Sequence, residues 1–443
     1  MYCLLSSLFL LLTLCFPSAP QQPAQPTDLS AASFTGPWIV TADYLGTFVN
    51  ATMELNQQGD KLTGHFQGDK LEGTVTGHSL HFLARDDQGG SEQVSAQLQP
   101  NNTMTGTIIW TDGANPSHPA TVAFTARRRE PMPSSNPQMH EFVPTVFYRQ
   151  FSPHNKPVLT LNPGDTVHTT TVDAGGVDEK GVPRSLGGNP QTGPFYVNSA
   201  QPGDTLVVHI TRLRLNRDWA LSDDFVVPRA LDSSLAVKMK DGGKTIRWHL
   251  DLAQGMATPE NPADHLKHYA VPVKPMLGCV AVSTGLATAP PATQDSGNWG
   301  GNMDFNEITE GSTVYLPVRV PGAFLYVGDG HALQGDGELN GNALETSMDV
   351  TFAIDLISGK SVPGPRVVTP THIIAVGLDG SLDDAFRDAT SNMADWLADD
   401  YKLSPSETAQ VLGTAAEYKV SEAADRNAGI VLKLNKERLQ SLQ

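Results

Sequence analysis

Cysteine is nearly absent from this chain of 443 residues: Cys3, Cys15 and Cys279 are the whole complement. The first two lie in an N-terminal apolar run. Once that run is removed only Cys279 remains, so no disulfide can form within the mature chain. A secreted protein built this way relies on its core, with a bound metal as one further staple. Basic residues are also scarce. There are 30 Lys and Arg against 47 Asp and Glu, a net charge of −17, and the first basic residue is Lys61. This balance excludes a nucleic-acid binder, which needs clustered cations for the phosphates. It also argues against docking on an anionic membrane. Long apolar runs are missing: the longest, Leu4–Phe16, falls short of the roughly 20 residues that a spanning helix needs. Nucleophile motifs are missing as well. There is no Gly-x-Ser-x-Gly, and Ser233 and Ser283 both lack a Lys three residues on.

Glycine and proline are plentiful, 40 and 32 residues, and predict many turns and few long helices. The run Leu4–Phe16, followed by Pro17, Ser18, Ala19 and Pro20, reads as a secretory signal over residues 1–26. It lacks a basic start, and Leu14 before Cys15 is bulky for a lipoprotein signal. Export to the periplasm or the medium is the expectation.

Residues 28–128 show short period-two runs, such as Lys61-Leu62-Thr63-Gly64-His65-Phe66 and Ser79-Leu80-His81-Phe82-Leu83, parted by Gly, Asn and Asp. They predict a small antiparallel β domain or barrel. His65, His78 and His81 are expected as solvated strand residues. Residues 129–139, with Pro131, Pro133 and Pro137, read as a linker.

A second unit covers 140–435. Its recurring device is a turn that launches a strand: Asn162-Pro163-Gly164-Asp165-Thr166-Val167, then Gln201-Pro202-Gly203-Asp204-Thr205-Leu206, and more loosely Thr309-Glu310-Gly311-Ser312-Thr313-Val314. Repeats of this kind predict a β-sandwich or β-barrel body. From about 370 to 435 the character turns to α+β. Leu382, Ala385, Phe386, Ala389, Met393, Trp396, Leu397 and Tyr401 follow helical spacing behind Ser381. Ser404-Pro405-Ser406-Glu407 starts a second helix, and Ile430–Leu434 reads as a strand.

The densest polar stretch is Gly328-Asp329-Gly330-His331-Ala332-Leu333-Gln334-Gly335-Asp336-Gly337-Glu338. An imidazole and several carboxylates on a glycine-loosened backbone suit a zinc-like divalent ion. A glycine-rich turn with solvated acids fits the same spacing equally well. Two further stretches place an Asp beside paired glycines: Asn298-Trp299-Gly300-Gly301-Asn302-Met303-Asp304 and Thr171-Val172-Asp173-Ala174-Gly175-Gly176. Cys279, within Met276–Val282, reads as a small core residue of an apolar strand.

These stretches, together with Lys156-Pro157-Val158-Leu159, Asn189-Pro190-Gln191-Thr192-Gly193-Pro194 and Pro275-Met276-Leu277-Gly278, resemble the acetamidase/formamidase family over about residues 140–435. Residues 28–128 lie outside the resemblance. It implies a mainly β fold with an α+β part, and hydrolysis of short linear amides to a carboxylate and ammonia. One departure is visible: Gly278-Cys279-Val280-Ala281-Val282-Ser283 stands where the family carries a Gly-Val/Ile-Gly-Val-Ala-Pro run.

The leading expectation is therefore a metal-assisted amide hydrolase with a small-molecule substrate. Asp173, Asp304 and His331 are the expected ligands of a divalent ion, zinc first and calcium second. Glu338, with Asp336, is expected as acid/base, and Asn302, Gln334 and Cys279 as pocket residues. A homo-oligomer is compatible with this reading. The competing expectations are an enzyme with Cys279 as nucleophile, and a secreted β-protein that binds a small ligand or glycan around a structural Ca²⁺.

Overall fold

The computed structural model describes residues 33–44, 46–129, 136–239, 243–286 and 289–442. The apolar run Leu4–Phe16 and the prolines at 131 and 133 lie outside them. From Phe34 onward the chain forms one compact unit. No helix among the described residues is long and apolar enough to cross a membrane.

Between Gly36 and Arg128 eight antiparallel strands close into a barrel, each paired with the next and the last with the first. The period-two pattern is the cause. Alternate residues, among them Trp38, Val40, Met53, Leu55, Leu62, Phe66, Leu80, Phe82 and Phe124, turn inward and fill the interior. His81 lies on the outer face, where its Nδ1 meets Ser95 Oγ at 2.9 Å. The end of the last barrel strand contacts the rest of the unit. Arg127 donates to Gln201, and Arg129 pairs with the buried Asp204.

The body is a sandwich of two sheets. One runs, in order, through Glu417–Glu422, Ala428–Asn435, His372–Asp379, Arg366–Val368, Thr313–Pro317, Thr205–Leu215, Met348–Ile357, Thr166–Thr170 and Met139–Glu141. The other centres on Leu325–His331, flanked by Met276–Ala281, Glu345–Thr346 and Gln191–Val197. Val167, Leu206, Val208, Leu316, Val350 and Phe352 of the first sheet pack with Phe195, Leu277, Val280, Leu325 and Val327 of the second.

All three repeated turns launch strands of the first sheet, and the two full copies use their Asp in the same way. Gly164 and Gly203 take φ of 95° and 87°, which a side chain would strain. Asp165 then accepts the N–H of Asn162 at 2.8 Å, and Asp204 that of Gln201 at 2.8 Å. Each carboxylate accepts one more backbone N–H from a neighbouring segment, Gln138 and Gly359 respectively. In the looser copy Ser312 Oγ donates to the Thr309 carbonyl at 2.7 Å.

The C-terminal part follows its sequence pattern. The helix Leu382–Tyr401 buries Ala385, Ala389, Met393, Trp396 and Leu397 against Ile373, Ala375, Leu432 and Leu434 of the first sheet. It lies so close that a Cβ on Gly377 would sit 1.9 Å from the Ala385 carbonyl oxygen. Phe386, on the predicted apolar stripe, is instead 45% exposed and stacks on Tyr418. The helix Pro405–Ala415 starts with the full reciprocal cap between Ser404 and Glu407.

Asp165 gives a direct test of the turn. Asp165→Asn keeps the shape but loses an acceptor for one of its three donors, the N–H groups of Gln138 and Asn162 and His140 Nε2. The expected cost is about 1–3 kcal/mol in urea unfolding, the usual penalty for a buried group left unpaired. Burial pushes the Asp165 carboxyl up, but the bonds from Asn162, His140 and Gln138 outweigh it and leave it below its ordinary range. A depressed folded pKa stabilises fully above the unfolded value of about 3.9. The gap between wild type and variant should therefore be complete at neutral pH and close as the pH falls below about 4.

Candidate metal and catalytic centre

The centre is built around the end of the strand Leu325–His331. Strand alternation sends Asp329 and His331 to one face, and Glu345 enters from the neighbouring strand as the register partner of His331. Asp304 follows the short strand Gly300–Asn302, which pairs with Cys279–Ala281. Glu338 comes from the glycine-rich loop after the central strand. Asp304, Asp329, His331, Glu338 and Glu345 are all buried.

His331 is the hub. Its Nδ1 lies 2.8 Å from Gln334 Oε1. An amide oxygen can only accept, so Nδ1 carries the proton when the ring is neutral, and Nε2 turns its lone pair to the acids. Nε2 lies 3.0 Å from Glu345 Oε1, 3.5 Å from Asp329 Oδ1 and 4.0 Å from both Asp304 Oδ1 and Glu338 Oε1. Gln334 is fixed in turn, donating through Nε2 to the carbonyls of Asp304 at 2.5 Å and Ser421 at 3.3 Å.

Two more carboxylates arrive from the C-terminal part. Glu422, fully buried, accepts the N–H groups of Ala424 and Asp425. Asp425 accepts from Asn302 Nδ2 at 2.8 Å, and the same nitrogen donates to Asp304 at 2.6 Å. Asn189 donates to Asn302 Oδ1 and accepts from Gln191 at 2.8 Å. Asn302 thus aligns acids and has its amide donors committed to them.

No lysine or arginine among the described residues forms an ion pair with these carboxylates. Burial raises Asp304, helped by Glu338, Asp329 and Glu422; His331 opposes it. Burial likewise raises Glu338 against the pull of His331. Glu345 is pushed up to about 7 by burial, with His331 again opposing. Burial and the neighbouring Glu422 push Asp425 to about 7. For His331, burial lowers the pKa, and the Glu345 and Asp329 carboxylates overcome it and hold it well above the usual value.

The donor set fits a divalent cation. Asp304, His331 and Glu338 can bring one ligand atom each to a common point, and so can Asp329, His331 and Glu345. His331 Nε2, Asp304 Oδ1, Glu345 Oε2 and Glu422 Oε2 are buried with no hydrogen-bond partner. Such atoms are costly unless a cation or proton satisfies them. The backbone is cleared for them: a Cβ at Gly278 would lie 2.2 Å from Asp329 Oδ2 and 2.4 Å from Asp304 Oδ1. Asp304, Asp329 and Glu338 take φ of 40°, 58° and 49°, a strained region for a side-chain residue.

The sequence-predicted residues divide. Asp304 and His331 meet, and Glu338 lies beside them. Asp173 does not join them, because it is tied to the buried Arg217 at 2.7 Å. Arg217 also donates to Thr346 Oγ1 at 2.9 Å and stacks on Trp219. Asp336 is exposed and accepts from Asn306 Nδ2 at 2.8 Å, outside the cluster. Cys279 packs with Phe151, Ala281 and Tyr326. Burial, then Asp329 and Asp304, push its thiol well up, which disfavours a nucleophilic thiolate. Asp329, Glu345, Glu422, Asp425 and Asn189 join the site without having been given these roles from sequence.

Comparison with known proteins bears on this site. Residues 251–374 match the Acetamidase/Formamidase family. That segment holds Asp304, Asp329, His331, Gln334, Glu338 and Glu345. A formamidase of Methylophilus methylotrophus is 31% identical over 156 residues, 30% of this chain and 37% of that protein. The chain spans about half, or less, of the length of the curated relatives it matches. An acetamidase from Yersinia enterocolitica superposes with a TM-score of 0.60 at 27% identity, covering 69% of this chain and 94% of that one. The predicted acetamidase/formamidase of the thermophile Thermoanaerobacter tengcongensis gives 0.59 at 26%, covering 69% and 99%.

Gly278→Ala tests the cleared backbone. The added methyl must displace Asp329 or Asp304, so calorimetric titration with zinc should show at least a tenfold loss of affinity, the scale seen when groups that orient metal ligands are disturbed. The far-UV spectrum should stay that of the parent. Unchanged zinc affinity would show that these two carboxylates do not take part in binding.

Proposed function

We propose that this chain is an exported hydrolase that cleaves the C–N bond of short linear amides, giving a carboxylate and ammonia with the help of a divalent ion, zinc in the first instance and calcium as the alternative. The observation that carries the reading is the buried Nε2 of His331, ringed by four carboxylates inside a segment that matches an amidase family.

His331 with Asp304, Asp329 and Glu345 would hold the ion. Bound there, a divalent cation supplies Lewis acidity toward an amide carbonyl and lowers the pKa of water. The remaining work falls to the chain. Gln334 keeps the His331 Nδ1–H occupied, so Nε2 stays turned to the acids. Asn302, held by Asn189, keeps Asp304 and Asp425 in place. Glu338 lines the inner chamber. As a carboxylate it can accept a proton from the attacking water, its raised pKa making it a stronger base, and then return that proton to the leaving nitrogen. The balance is one amide and one water to one carboxylic acid and one ammonia, with Glu338 unchanged after the cycle. The buried thiol of Cys279 has no part in it.

The test is ammonia release from formamide, acetamide and longer amides, with metal content measured on the same sample. His331→Ala should lose metal and turnover together. Glu338→Gln keeps the shape and removes the proton carrier, so metal should stay while turnover falls about 10²–10⁴-fold. Cys279→Ala should cost about 1–2 kcal/mol of stability, as a small core truncation does, and keep turnover within a few-fold. Full activity after exhaustive chelation, with no metal found, would overturn the ion's role. A thousandfold loss in a folded Cys279→Ala would favour the thiol instead.

A further inference from the structure

The inner chamber is small, about 40 Å³, and is lined by Asp329, Glu338 and Glu345 among others. A water-sized probe occupies about 10–15 Å³ of such volume, so the chamber takes roughly three atoms of that size. This matches an amide of about three or four non-hydrogen atoms. Beside it lies an outer basin of about 320 Å³, which would hold a much longer acyl chain. Ala174, Asn189, Gln294, Asn342 and Glu345 line both spaces and so form the neck between them.

These neck residues are not equivalent. Asn189 is committed to Asn302 and Gln191, and Glu345 belongs to the acid cluster. Ala174 has no reach, and the Gln294 side chain is exposed to solvent. Asn342 is different: its Nδ2 donates to Asp223, which lines the outer basin. The loop that carries Asn342 is fixed from the same side. The Val227 N–H donates to the Leu339 carbonyl at 2.9 Å, and Gly341, at φ 91°, leaves 2.8 Å between its absent Cβ and the Phe225 ring. The segment 223–227 thus clamps 339–342 and holds the Asn342 side chain at the neck.

We infer that Asn342, latched by Asp223, is a specificity-determining residue that closes the neck and confines the acyl group of a bound amide to the inner chamber. The inference rests on the amide-hydrolase reading of this site. With the latch in place, an acyl chain of more than about two carbons meets the Asn342 side chain. With it gone, chamber and basin become one space.

The experiment compares kcat/KM for butyramide and acetamide in the full-length, metal-loaded protein. One methylene in a close-fitting pocket is worth about 10–200-fold in discrimination. Asn342→Ala should therefore raise the butyramide-to-acetamide ratio at least tenfold, and Asp223→Ala should raise it in the same direction. Asn342→Gln, which keeps an amide at the neck and lengthens it, should not raise the ratio. A ratio within about twofold of the parent in both alanine variants overturns the inference and leaves the hydrolase reading standing. Should the parent release ammonia from no amide, that reading falls by itself, and calorimetric titration with acetate and butyrate decides the neck. Preference for acetate in the parent that disappears in Asn342→Ala supports it. The same preference in both proteins, or binding of neither acid, overturns it.

Discussion

The structure turns on one electrostatic problem: five carboxylates, those of Asp304, Asp329, Glu338, Glu345 and Glu422, are buried around a single imidazole with no lysine or arginine paired to any of them among the described residues. Like charges this close and this dry cannot all ionise. Protons or a cation must enter, and His331 alone is too little. Much of the local architecture serves to hold the acids together against that repulsion. Glycine at 278 makes room for two of them, and Gln334 fixes the ring. Asn302 bridges Asp304 and Asp425, and backbone N–H groups neutralise part of Glu422. Three of the acidic or adjacent positions sit at positive φ, a cost that only a well-supported framework can hold.

That framework is the two-sheet core. Sheet packing fixes the strands Met276–Ala281 and Leu325–His331, so the side chains at their ends have little freedom. The repeated Pro-Gly-Asp turns act at the margins of the first sheet. They spend buried carboxylates on backbone N–H groups, where the charge is satisfied locally. The contrast with the centre is instructive. Asp165 and Asp204 have donors and are structural; Asp304 and Glu345 each keep a buried oxygen without a donor.

Much of this was legible in the sequence. The closed barrel follows from its alternation, the helix Leu382–Tyr401 from its apolar spacing, and the turn motif from Pro-Gly-Asp itself. Asp304 and His331 stood out because glycines lie close before them in the sequence. The failures have physical causes. Asp173 shares that glycine signature, but its partner Arg217 lies 44 positions away, and no local pattern reveals a buried ion pair. Asp336 and Glu338 are two residues apart in one loop. Gly337, at φ 84°, turns the chain between them, so one faces solvent and the other the cluster. Glu345 has no motif around it, and only its register opposite His331 brings it in. Glu422 and Asp425 sit in a stretch that reads as an ordinary polar loop of the α+β part.

The C-terminal part takes a direct share in this centre. Its loop does not merely lie near the centre. The Ala423 N–H donates to the Gly337 carbonyl at 3.0 Å, Gly337 bridges Glu422, and the Ser421 carbonyl accepts from Gln334. The loop that presents Glu338 and the amide that sets the His331 tautomer are therefore both held by residues 421–423. Glu422 and Asp425 also add charge to the same cluster. Residues 421–425 lie beyond the segment 251–374 that matches the family, and Asn189 lies before it. The matched segment contains the buried acids around His331 but only part of the means of orienting them. A site of this kind is not portable with its motif. It exists only when the sandwich brings the early loop, the central strand and the C-terminal loop to one point, which is why a chain of scattered glycine motifs can encode a centre that no single stretch of it displays.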